Sequence, residues 1–217
     1  MFEKPKMSEL ASRSFTEYQT TRSEDGNAAQ IRGVPIVFEQ PADISGWFEE
    51  TIARGAISES VLRDVALFYN HDLNSKPLAR TRTGKLKFSI ENDGVHMVAD
   101  VNLERSDVND MYLAIEDGDI DAMSFMFRIE DEEWTDLDTD YPKRRITRIG
   151  YVQEVSIVNY PAYDGTSVAA RQNNTLDSDV IVLDNARAKA GITAVDTAGV
   201  LALEKLKNQN KIKLGVI

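Results

Sequence analysis

The chain of 217 residues contains no cysteine. Disulfides, thiolate nucleophiles and sulfur-rich zinc sites are therefore excluded, nothing calls for an oxidising compartment, and an intracellular protein is expected. Histidine is nearly as scarce: His71 and His96 stand alone, and neither belongs to an HExxH pair that could hold a catalytic zinc. GxxxxGK[ST] and GxGxxG are missing as well, which removes the common backbone cradles for nucleotide phosphates. The acidic run from Glu130 to Asp140 lacks the glycine-centred loop of a calcium hand. No metal and no other cofactor is expected. No window approaches about 18 uninterrupted apolar residues, and MFEKPKMSELASRSF has no apolar signal-peptide core, so neither a membrane partner nor export by that route is expected. Basic residues are in deficit, 25 against 36 acidic, a net charge of −11. Such a molecule repels phosphate backbones, which argues against nucleic acid as the main partner.

What is present is an ordinary folding composition, 42% hydrophobic and 28% charged, in a length that suits one domain with tails. Residues 1–30 are polar and contain SEDGN, and are expected to form a flexible leader. IRGVPIVFEQ and ALFYNHD are strand-like. WFEETIARGAISESVLRDV carries helix-favouring stretches, with Ser58 as an N-cap. KLKFSIENDG and VHMVADVNL, joined at Asn92, Asp93 and Gly94, predict a hairpin. Val108, Met111, Tyr112 and Ile115 recur at helical spacing, predicting an amphipathic helix that Gly118 ends. The charged stretch EDEEWTDLDTDYPKRRITRIG is expected to be a solvated loop or hairpin tip linking two strands. Beyond Arg171 the chain is small and polar, with one short helix expected in VLALEKLKNQNKIKL. Several strands with few helices, lacking a strand-helix-strand rhythm, predict an α+β domain, mainly an antiparallel β-barrel surrounded by helices, over residues 31–171.

Within DIDAMSFMF, residues 119–127, alternation points Met123, Phe125 and Phe127 one way and Ala122, Ser124 and Met126 the other. Ser124 thus stands on a rigid element, away from the apolar side. A serine hydroxyl is a weak nucleophile unless a base lies within reach, and His71, where an apolar strand hands over to a loop, can take and return a proton. A third group should orient the imidazole. Glu154, set inside the β-rich run YVQEVSIVNYPAY, is a carboxylate that needs a partner if buried; the alternative to a catalytic role is an ion pair with Arg145 or Arg148. Backbone amides or a side chain near Arg144 and Arg145 are candidate oxyanion donors, with surface charge or pairing with the acidic run as the simpler reading. His96, inside a hairpin strand, reads as a cross-strand side chain.

ALFYNHD with a following PLAR, then DIDAMSFMF after a helix, then EVSIVNYPAYDGT, form an ordered set that resembles the prohead maturation protease family of tailed phages. That family is thought to be distantly related to the herpesvirus assemblins. The resemblance covers about residues 31–171. It implies His71 as general base, Ser124 as nucleophile and Glu154 as third member, although the herpesvirus relatives use a second histidine there. It also implies a herpesvirus-protease-like barrel and cleavage of phage scaffolding protein, or of the scaffolding segment of the major capsid protein, inside the immature prohead in the host cytoplasm. Such enzymes trim themselves, and the segment 172–217 is expected to be removed or to tether the enzyme to scaffold. Self-association into a homo-oligomer is left open. The competing reading is a non-enzymatic capsid-assembly or scaffolding module of the same fold.

Overall fold

A computed structural model describes residues 11–15, 18–44, 46–159 and 174–192. In chain order the strands are β1 (Ala11–Phe15), β2 (Tyr18–Arg22), β3 (Ala28–Val37), β4 (Ala42–Ile44), β5 (Phe48–Ile52), β6 (Ala66–Tyr69), β7 (Ala79–Arg80), β8 (Leu86–Ile90), β9 (Gly94–Asn102), β10 (Ala122–Thr135) and β11 (Lys143–Val158). Helix α1 (Ser106–Glu116) precedes β10, and helix α2 (Asn174–Lys189) follows β11.

The class is α+β, but the expected barrel is not closed among the described residues. The strands sort into a seven-stranded sheet, with the order β1-β10-β11-β5-β4 and β6 and β7 branching from β11, and a four-stranded sheet, β2-β3-β9-β8. The long strand β11 takes two different parallel neighbours on one edge, β5 beside its first residues and β6 beside its last.

The predicted hairpin is β8 and β9, with Leu86 opposite Ala99 and Ile90 opposite Val95. Its glycine is demanded by crowding: a Cβ on Gly94 would lie 2.2 Å from the Ile36 carbonyl oxygen of β3. Helix α1 buries Val108, Met111, Tyr112 and Ile115 as the spacing predicts, and the chain turns out of it at Gly118 with φ of +79°. The main core gathers these side chains with Met97, Phe125, Phe127 and Val155.

Three local expectations are corrected. Phe48–Ile52 is a strand, with Phe48, Glu50 and Ile52 buried in alternation, because parallel pairing with β11 outweighs a mild helical preference. Ser58 precedes only a 3-10 turn at Glu59–Leu62 and makes no side-chain cap bond to it. Strands β1 and β2 lie inside the segment expected to be a leader; β1 pairs with β10 and β2 with β3, since strand pairing satisfies backbone groups whatever the polarity of the side chains. The C-terminal segment also contributes structure: α2 buries Val180, Leu183 and Ala186, and Leu183 joins a second cluster with Ile44 and Phe48. The helix expected in VLALEKLKNQNKIKL lies outside the described residues.

The charged stretch forms the far end of the β10–β11 hairpin, braced by ion pairs. Arg144 is buried between Glu50, at 3.1 Å, and Glu132, over the rings of Phe48 and Trp134. Arg145 makes two bonds of 2.7 Å to Glu39. That bidentate contact, with the Arg54 amide on the same carboxylate at 2.9 Å, holds the Glu39 carboxyl down to about 2 from an ordinary 4.5. A carboxyl depressed by folding adds stability above about pH 4.5 and loses it as the pH falls toward 2. Glu39→Gln is therefore expected to lower the urea midpoint at neutral pH, with the gap to the unaltered chain closing between pH 4.5 and 2, as followed by urea titrations at stepped pH.

Candidate active site

The site forms where β6 ends beside the last residues of β11. Parallel register runs from Ala66 opposite Glu154 to Tyr69 opposite Ile157. Past Tyr69 the chain leaves through two successive left-handed residues, Asn70 with φ of +48° and His71 with φ of +58°. Such backbone costs of order 1–3 kcal/mol per residue and persists only where the surroundings hold it. Here they do. The Asn70 amide donates to the Ile157 carbonyl at 2.9 Å, and the Asn159 amide donates to Asn70 Oδ1 at 3.0 Å. The Tyr69 hydroxyl donates to Asn159 Oδ1, and the His71 amide donates to Ser156 Oγ at 3.1 Å.

Held this way, the His71 ring meets Glu154, with Nδ1 2.7 Å from Oε1. The Glu154 side chain is fully buried and the histidine is 28% exposed. A carboxylate so enclosed needs partners for both oxygens. Oε1 has the imidazole, and Oε2 accepts a bond from the Ser156 hydroxyl. The ion-pair alternative fails, because Arg145 is bonded to Glu39 and Arg148 to Glu130 and Asp131. Where Glu154 is a carboxylate and the imidazole is neutral, the shared proton sits on Nδ1 and leaves Nε2 as the acceptor nitrogen of the ring.

Ser124 arrives from the other neighbour of β11. In the antiparallel β10–β11 register it stands directly opposite Ser156, and Met126 stands opposite Glu154. Facing residues of such a pair project to the same side, with Cβ atoms about 4.5–5.5 Å apart. Ser156 and Glu154, two positions apart on β11, share a face by alternation. One face of the sheet thus carries Ser124, Ser156 and Glu154, and His71 is bonded to the last two. Ser124 is fully buried, while Met123, Phe125 and Phe127 fill the core on the opposite face. The three residues singled out by sequence are assembled in one patch.

The remaining candidates lie elsewhere. Arg144 and Arg145 precede Glu154 by nine or ten residues on the same strand, about 30 Å at roughly 3.3 Å per residue, and are engaged with glutamates. They cannot be oxyanion donors. His96 lies on β9 in the other sheet, its Nε2 2.9 Å from Asp93 Oδ1, and that bond holds the Asp93 carboxyl below its usual range. Sequence reasoning passed over Ser156, Asn70 and Asn159. Alternation placed Ser156 on the face of Glu154, but only the parallel register of β6 shows what meets it there.

A family model described as caudovirus prohead serine protease matches residues 16–178. The chain belongs to that family. It is 24% identical over 194 residues to the prohead protease of Enterobacteria phage HK97, an alignment covering 87% of this chain and 81% of the relative. No solved structure matches. A caudovirus prohead serine protease is a hydrolase of phage capsid maturation. Among the described residues, no helix is long and apolar enough to cross a membrane.

Proposed function

We propose that Ser124 is the nucleophile, His71 the general base and Glu154 the orienting carboxylate of an endopeptidase that cleaves phage scaffolding protein, or the scaffolding segment of the major capsid protein, inside the immature prohead in the host cytoplasm. The observation that carries this reading is the 2.7 Å contact between His71 Nδ1 and a fully buried Glu154, on the sheet face that Ser124 shares. Ser124 Oγ attacks the scissile carbonyl carbon as its proton passes to His71 Nε2. The tetrahedral adduct then collapses to an acyl-enzyme, and Nε2 hands the proton to the departing amine. Water attacks the ester by the same route in reverse, releasing the acid and restoring Ser124. Throughout, Glu154 keeps the Nδ1 proton in place and stabilises the imidazolium as it forms.

The catalytic unit is taken to extend through residue 171. The segment 172–217 is the piece removed by self-cleavage or used as a tether, with α2 docked meanwhile at the far end of the β10–β11 hairpin. There Arg187 donates to the carbonyls of Leu137 and Thr139 at 3.0 and 2.8 Å. A purely structural capsid module has no use for a buried carboxylate paired with a strained, partly exposed histidine, and the family assignment is to proteases.

The test is active-site mapping with scaffold present. A fluorophosphonate is expected to add one phosphonyl group to the peptide containing Ser124 and to stop cleavage of co-produced scaffolding protein. Labelling at a different residue, or scaffold that stays intact beside an unlabelled chain, overturns the proposal.

A further inference from the structure

Resting on the reading of Ser124, His71 and Glu154 just given, we propose that Ser156 is the positioning residue of this site: one buried hydroxyl ties the left-handed His71 backbone to the Glu154 carboxylate, so that base and orienting acid are held as a unit. Ser156 is fully buried. Its oxygen accepts the His71 amide at 3.1 Å, and its proton goes to Glu154 Oε2. A hydroxyl has a single proton, and accepting from an amide on one side settles that the proton points the other way, toward the carboxylate, where a charge-assisted bond is strong.

The ladder explains why a side chain takes this task. Parallel pairing of β6 with β11 stops at Tyr69 opposite Ile157, and Asn70 makes the next bond, to the Ile157 carbonyl. The His71 amide then bonds a side-chain oxygen rather than a backbone carbonyl. Side chains stand off the sheet, so this bond draws the chain over the face bearing Glu154 rather than onward in the plane of the strands. The φ of +58° at His71 is the local cost of that excursion, and the Ser156 bond is what sustains it. Although Ser156 faces Ser124, it is not a second nucleophile, because its proton is committed to Glu154.

The test compares the full chain with Ser156→Ala and Ser156→Thr, by fluorophosphonate labelling of Ser124 and by amide hydrogen exchange. Ser156→Ala is expected to lower the maximal labelling rate about 10- to 100-fold with an unchanged half-saturating probe concentration, since misplacement by about 1 Å costs that much. The His71 amide should exchange faster in that variant while the Asn70 amide keeps its protection. Ser156→Thr, which retains the hydroxyl, should recover both. Alanine labelling at the unaltered rate, alanine slowing with the His71 amide still protected, or threonine restoring protection but not rate each overturns the tether. Failure of the underlying reading looks different: the unaltered chain then takes no label on Ser124, whatever stands at 156.

Discussion

Replacing Ser124 with alanine is expected to slow cleavage of scaffolding protein, and of the chain itself, by about 10⁴- to 10⁶-fold. The substitution removes the atom that forms the acyl bond in the proposed mechanism, so no rearrangement of His71 or Glu154 can compensate. What survives is the small acceleration that binding and oriented dipoles give to attack by water. Folding should be nearly untouched, because alanine fills almost the same space and the loss is one buried hydroxyl, about 1–2 kcal/mol. The measurement is the intact mass of chain and scaffold over time, beside a urea titration of each chain. Equal shortening of both chains would remove Ser124 from the mechanism.

The second large effect is at Glu154. Glu154→Gln preserves volume, but the amide offers one acceptor and one donor where the carboxylate offered two acceptors. If its NH₂ faces Nδ1, the imidazole must accept there and carry its proton on Nε2, the nitrogen that should receive the Ser124 proton. If its oxygen faces Nδ1, the NH₂ is turned on a Ser156 hydroxyl that already accepts the His71 amide. Either arrangement loses the charge that stabilises the imidazolium. A fall in kcat of about 10³- to 10⁴-fold with little change in KM is expected from steady-state kinetics on a scaffold-derived peptide. A loss confined to KM would mean that Glu154 contacts substrate instead of the base.

Much of this site was legible in the sequence, and the reason is alternation. A strand pattern that fills one face with Met123, Phe125 and Phe127 displays Ser124 on the other, and Glu154 in a β-rich run demands an explanation whatever the fold. What pairs with what was less legible. The strand Phe48–Ile52 resembled a helix because Glu49, Glu50 and Ala53 favour one, and pairing with Lys143–Ile146 on one edge and Ala42–Ile44 on the other makes it extended. The polar β2 looked like a leader because edge pairing needs backbone, not apolar side chains. Sheet closure was not legible either, since the division of the β11 edge between β5 and β6 leaves no mark on local composition. Ser156 escaped for the same reason: its significance rests on a residue 85 positions away.

That separation has a temporal meaning. His71 and Glu154 are 83 positions apart, and the turn that aims the imidazole is secured by Ile157 and Asn159, near the end of the last strand. Chains rich in contacts of such long range fold slowly. Under the proposed roles, a polypeptide synthesised to Ser124 but not yet to Asn159 has the hydroxyl but lacks the residues that position the base.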